Sequence, residues 1–174
     1  FNTFRKGSFD AAAMKDALLA PCRGKKLLIL NFPNNPTGYT ATVADAKKIV
    51  AAVKAAARKG VKIVVVLDDA YFGLVYEEGI HEESLFAEFA ALDRNVLAVK
   101  LDGTTKEDYV WGLRVGFVTF AFKAATEEQR PPAAMNWRVS ITKEAWVLTT
   151  WARRSSAIAS ALRPSRARSQ ARST

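Results

Sequence analysis

Cysteine and histidine are nearly missing from this chain: its 174 residues hold one of each, Cys22 and His81. That leaves nothing from which to build a disulfide framework or a Cys/His zinc site. No apolar run approaches the roughly 18 residues of a membrane span. The opening residues, FNTFRKGSFD, contain neither a starting methionine nor the apolar stretch of a secretion signal. The N-terminus therefore reads as a cut one, and the scarcity of cysteine suits a reducing, cytoplasmic setting.

Acidic residues are scarce in one place only. The net charge is +9, which by itself suggests a nucleic acid or a membrane surface as partner. From residue 130 onward, however, there are nine Lys or Arg and one acid, Glu144, whereas residues 1–129 carry 17 basic and 16 acidic groups. The body is close to neutral, and the basicity belongs to an Arg/Ser/Ala-rich tail. We accordingly divide the chain at residue 129, with 130–174 as a segment of different character. Its abrupt change of composition reads as off-frame translation of GC-rich coding sequence or as a genuine basic extension. Within it, residues 143–162 suit a helix, although one without a clean apolar face.

What is present is a strong alternation of apolar segments. Residues 27–32 (LLILNF) form a short aliphatic run that ends in a Pro/Asn/Gly cluster, as a buried strand does. Thr40 or Thr42 caps an expected helix through VADAKKIVAAVKAAARKG, with Val43, Ala46, Ile49, Val50, Val53 and Ala57 at helical spacing and Gly60 as its stop. Residues 61–69 (VKIVVVLDD) are β-branched almost throughout, the mark of a strand covered on both faces. A helical patch at 84–92, a third strand at 95–102 and a fourth at 111–122 follow. The order implies an α/β fold: a mostly parallel sheet with flanking helices and right-handed crossovers. Ligands of such sheets bind at the carboxyl ends of the strands. There the chain places PNNPTG, DDAY and DGTTK.

Each cluster has a plain reading and a chemical one. PNNPTG is a rigid turn, with X-Pro bonds open to the cis form, and it either binds nothing or presents the Asn35 amide to a ligand. An aliphatic strand ending in Asp68 and Asp69 puts a carboxylate at the edge of a low-dielectric region, so one of the two is expected to meet a cation or a protonated nitrogen. Alternatively, the pair caps a helix. Tyr71 adds a phenolic hydrogen bond nearby. Lys106 in a Gly/Thr loop is ordinarily a solvated residue. In a strand-end crevice beside an acid and a tyrosine it becomes a candidate amine nucleophile for Schiff-base chemistry. Arg114, inside the apolar GLRVGF, needs a multidentate acceptor such as a phosphate, and Thr104 and Thr105 offer hydroxyl donors. His81, in GIHEES, reads as a surface residue.

NNPTG at 34–38, Asp-x-Ala-Tyr at 68–71, and a lysine eight residues before the arginine of GLRVG occur in that order, each after a strand. Over roughly residues 20–125 the chain thereby resembles the large domain of the class I/II aminotransferases, the fold-type-I pyridoxal-phosphate enzymes. The resemblance implies pyridoxal 5′-phosphate as cofactor. It makes Lys106 the Schiff-base lysine that also shuttles the proton between substrate Cα and cofactor C4′. Asp68, rather than Asp69, is implied as the partner of the protonated pyridine nitrogen. Tyr71 and Asn35 fall to the 3′-oxygen of the ring, and Arg114 to the phosphate. Many relatives have a serine three before the lysine, where this chain has Gly103, so hydroxyl contacts to the phosphate fall to Thr104 or Thr105.

The relatives also carry an upstream phosphate loop, an aromatic residue that stacks on the cofactor, and a C-terminal small domain. None of these is recognisable here, and the chain is expected to be a central portion of a large domain that exposes apolar surface. The implied activity is amino-group transfer between an amino acid and a 2-oxo acid by a ping-pong scheme, in a homodimer. Another reaction of the same superfamily (β-lyase, decarboxylase or synthase) shares every residue named. A third reading, of a different class, is a non-enzymatic module that binds nucleic acid through residues 153–172 with steep salt dependence.

Overall fold

The computed structural model describes residues 1–103, 106, 108, 109 and 115–123, with the strand backbones at 138–141 and 146–153. A hairpin of β1 (Phe4–Arg5) and β2 (Ser8–Phe9) leads into α1 (Ala11–Leu19). Asp10 caps this helix by accepting the Ala13 N–H at 2.9 Å. The sequence reading assigns nothing here because Met14 and Leu18 are the only buried positions of α1, too few to print a helical period.

β3 (Lys26–Asn31) is followed by α2 (Val43–Arg58), β4 (Ile63–Asp68), α3 (Phe86–Ala90) and β5 (Val96–Asp102). Of the two candidate caps for α2 it is Thr42 that serves, its hydroxyl accepting the Asp45 N–H at 3.1 Å. The helix buries Ala46, Ile49, Val53 and Ala57 as expected. It stops where Gly60 takes φ +86°, a left-handed conformation open to glycine at little cost. Thr42→Ala is expected to lower stability by about 1 kcal/mol, read from the midpoint of urea unfolding at unchanged slope.

β3, β4 and β5 pair in parallel, with Asn31 beside Asp68 and Asp68 beside Leu101 at their carboxyl ends. The sheet then changes direction. β6 (Val115–Phe122) runs antiparallel to β5, and β8 (Trp146–Arg153) and β7 (Arg138–Ile141) continue antiparallel, giving the order β3-β4-β5-β6-β8-β7. At twelve residues the link 103–114 is far shorter than 32–62 or 69–95 and sits at the lower limit of a parallel crossover, whereas an antiparallel neighbour can be joined by a connection of any shorter length. Reversal is the cheaper route. The helix expected over 143–162 gives way to strand β8 across its first half. The run WVLTTW is aromatic and β-branched, which suits a pleated strand better than a helix.

Helices α1, α2 and α3 share one core on one face of the sheet. Met14, Ile49, Val53, Ile63, Val65, Phe89, Val96 and Ala98 belong to a single buried cluster. The sequence reading puts helices on both faces. Among the described residues the opposite face has none, and Leu27 and Ile29 are 64% and 62% exposed there. Such a surface drives association. Light scattering of the chain is expected to show oligomers, and Leu27→Lys with Ile29→Lys to shift the distribution toward monomer. No helix among the described residues is long and apolar enough to cross a membrane.

Candidate functional site

The carboxyl ends of β3 and β4 bring the first two polar clusters together. Asn31, the last residue of β3, organises the loop that follows. Its Oδ1 accepts the Asn34 side-chain amide at 3.0 Å and the Asn35 N–H at 3.1 Å, while its own amide donates to the Asp68 carbonyl at 3.0 Å. The Phe32–Pro33 and Asn35–Pro36 bonds are both cis. Asn34 accepts the Thr37 hydroxyl at 2.6 Å, and its N–H donates to the Tyr39 carbonyl at 2.8 Å. Held this way, the Asn35 amide donates to the Tyr71 hydroxyl at 3.0 Å. The Lys106 ammonium lies 5.4 Å from the centroid of the Tyr71 ring, within the range of a cation–π contact.

The two acids at the end of β4 separate, because successive strand residues face opposite sides of the sheet. Asp68 is half-buried on the side away from the helices; its Oδ1 accepts the Ala70 N–H at 3.3 Å. Its second oxygen has no hydrogen-bond or ion-pair partner among the described residues. Asp69 is buried on the helix side, takes the Ser84 hydroxyl at 2.5 Å and lies 3.8 Å from the Lys100 ammonium. The acid expected to meet a protein cation is thus Asp69. Burial pushes its carboxyl above the usual range, opposed by the Ser84 hydrogen bond and the Lys100 charge. Its contribution to stability is therefore fully present below the ordinary aspartate pKa and is lost as pH rises through the raised one.

Asn35, Tyr71 and Lys106 meet in one place, with Asp68 at the adjoining strand end. Thr104, Thr105 and Arg114 lie outside the described residues. His81, expected at the surface, is instead half-buried in the cavity beside Asp69 and Ser84, where its Nε2 is buried with no hydrogen-bond partner among the described residues. Sequence reasoning missed Asn31, Ser84, Lys100 and Asp102. The signal available for Asn31 was its position as the last strand residue before the turn. Nothing in the sequence marks Ser84 as the partner of Asp69.

These positions can be set beside known proteins. No curated protein matches the chain. Among solved structures, an aminotransferase from Anaerococcus prevotii aligns at 25% identity with a TM-score of 0.60, covering 72% of this chain and 31% of that one. An N-succinyldiaminopimelate aminotransferase from Mycobacterium tuberculosis aligns at 25% identity and a TM-score of 0.48, covering 67% and 27%. The chain thus spans less than a third of either. The sequence pattern of class I and II aminotransferases matches residues 2–174. The Asn-Pro loop, the strand-end Asp-x-Ala-Tyr and the lysine that meets them stand in that family's order, and the chain belongs to the class I and II aminotransferases.

Proposed function

We propose that the chain binds pyridoxal 5′-phosphate and, as part of an aminotransferase, moves an amino group between an amino acid and a 2-oxo acid. The contact of Asn35, Tyr71 and Lys106, which come from three separate segments of the chain, carries this reading. The donor set fits the cofactor. It pairs an amine with two neutral hydrogen-bonding groups, and Asp68 keeps one carboxylate oxygen free among the described residues. When bound, pyridoxal phosphate supplies an electron-withdrawing ring that stabilises negative charge at the substrate Cα.

The residues divide the remaining work. Lys106 would hold the cofactor through Nζ and would carry a proton at that atom to and from the substrate. Asp68 holds the proton on the ring nitrogen by accepting its N–H. Asn35 and Tyr71 orient the ring through its oxygen. Arg114, with Thr104 and Thr105, completes the set as phosphate ligands. Residues 1–129 make up the proposed binding domain. The working unit is proposed to be a homodimer of the longer enzyme.

An absorbance titration with pyridoxal phosphate, followed by borohydride reduction and peptide mapping, tests the reading. A new near-ultraviolet band with the modified peptide mapping to Lys106 supports it; no band and no modified peptide would sink it. Asp68→Asn is expected to weaken cofactor binding about 10- to 100-fold, since a hydrogen bond to a charged group contributes about 1.5–3 kcal/mol. Formation of pyridoxamine phosphate from an amino acid, and its consumption by a 2-oxo acid, separates transfer from lyase or decarboxylase chemistry.

A further inference from the structure

Asp69 is a buried acid that the chemistry above leaves unused. The geometry points to Asp69, acting with Ser84 and Lys100, as a positioning residue that holds Tyr71 over Lys106. The inference rests on the functional reading above.

Three segments converge on this side chain. The Asp69 carbonyl accepts the Phe72 N–H at 2.9 Å, which closes the turn that carries Tyr71. Its carboxylate takes the Ser84 hydroxyl at 2.5 Å across a separation of 15 residues, so both ends of segment 70–84 are fixed at one residue. Ser84 in turn accepts the Phe86 N–H at 3.1 Å, which ties the segment to the start of α3. On the other side, Lys100 of β5 lies 3.8 Å from Asp69 and 2.6 Å from Asp102, with the Phe72 ring 5.0 Å beneath its ammonium. Asp102 accepts the Gly103 N–H at 3.0 Å, three residues before Lys106.

A chain of contacts therefore runs from the Tyr71 turn through Asp69, Lys100 and Asp102 to Gly103, three residues before Lys106. It lies on the side of β4 opposite Asp68. Tyr71 is otherwise held at its tip by the exposed Asn35 amide. Two acids share one lysine here, and a buried carboxylate is retained against its desolvation cost. An apolar residue at position 69 would keep the backbone bonds to Leu101 and Phe72 but would lose the side-chain ties to Ser84 and Lys100.

Proton NMR of the full chain without cofactor tests this through the Tyr71 ring current, which moves the Lys106 ε-methylene signal upfield. Tyr71→Leu defines the position of that signal without the ring. Ser84→Ala and Asp69→Asn are expected to carry it at least half of the way there, and Ser84→Thr, which keeps the hydroxyl, to restore it. Val53→Ala, a destabilising change in α2 far from the network, is expected to leave it in place. The proposal is overturned if Ser84→Ala and Asp69→Asn leave the signal at its wild-type position, or if Val53→Ala moves it as far. Should Asp69→Asn fail to fold, Ser84→Ala and its threonine counterpart decide alone. A failure of pyridoxal phosphate to bind does not alter this readout, so the two ideas fail separately.

Discussion

Lys106→Ala is expected to abolish covalent capture of pyridoxal phosphate. At stoichiometric cofactor, the borohydride-reduced variant carries no pyridoxyl group, whereas the wild-type chain carries it on the peptide containing Lys106. The loss is complete because the environment, not the amine alone, defines the site. Lys100, on the neighbouring strand, is occupied by Asp102 at 2.6 Å and Asp69 at 3.8 Å, and it lies on the helix side of the sheet. Lys106→Arg separates two contributions. A guanidinium keeps the positive charge over the Tyr71 ring but does not act as an amine nucleophile. The arginine variant should therefore lose capture as fully as alanine while retaining more reversible binding, read from quenching of the cofactor absorbance. Undiminished labelling at another lysine in Lys106→Ala would show that the Asn35–Tyr71 cluster does not select the reacting amine.

The parts of this site that were legible in the sequence are those that depend on local pattern. The apolar runs over 27–32, 61–69 and 95–102 mark three strands, and a sheet built from them must bring their carboxyl ends into one row. Thr42 and Gly60 mark the limits of α2 because capping and left-handed turns place chemical demands on single residues. The choice of Asp68 over Asp69 as the expected partner of the ring nitrogen came from the family resemblance and not from spacing, since two adjacent acids at a strand end are equivalent until the pleat is phased. Tertiary partners were not legible. Ser84 reaches Asp69 across 15 residues, and no periodicity encodes such a pairing. The antiparallel entry of β6 was hidden for a related reason: the direction of a strand depends on how its connection crosses the sheet, and the apolar run alone does not carry that information.

Tyr39→Phe is expected to lower the stability of the chain by about 2–3 kcal/mol. The hydroxyl joins two elements: it donates to Asp45 Oδ2 at 3.0 Å in α2 and accepts the Phe9 N–H at 3.3 Å from the hairpin. Asp45 is only 3% exposed. Without the phenol its carboxylate keeps, among the described residues, just Lys48, whose ammonium lies 3.3 Å away but is 62% exposed and contributes little. The ring itself remains in phenylalanine and still packs edge-on against Phe4 and Phe32 at 4.8 and 5.7 Å, so the loss isolates the hydroxyl. Adding Asp45→Ala removes the stranded charge, and the double variant should be less destabilised than the sum of the two single changes. The pH profile supplies an independent check. Burial, with the Asp45 hydrogen bond and charge, pushes the Tyr39 phenol up to about 12. A raised folded-state pKa means that its contribution is fully present below pH about 10 and is lost as pH rises toward about 12. Screening at the partly open phenol limits that slope to about 1 kcal/mol, and it should vanish in Tyr39→Phe. The substitution leaves the Tyr39 carbonyl in place to accept the Asn34 N–H, so the Asn35 loop keeps its anchor. Unfolding midpoints should fall while cofactor capture by the folded fraction stays at the wild-type level. A parallel loss of capture would instead make the N-terminal hairpin part of the site.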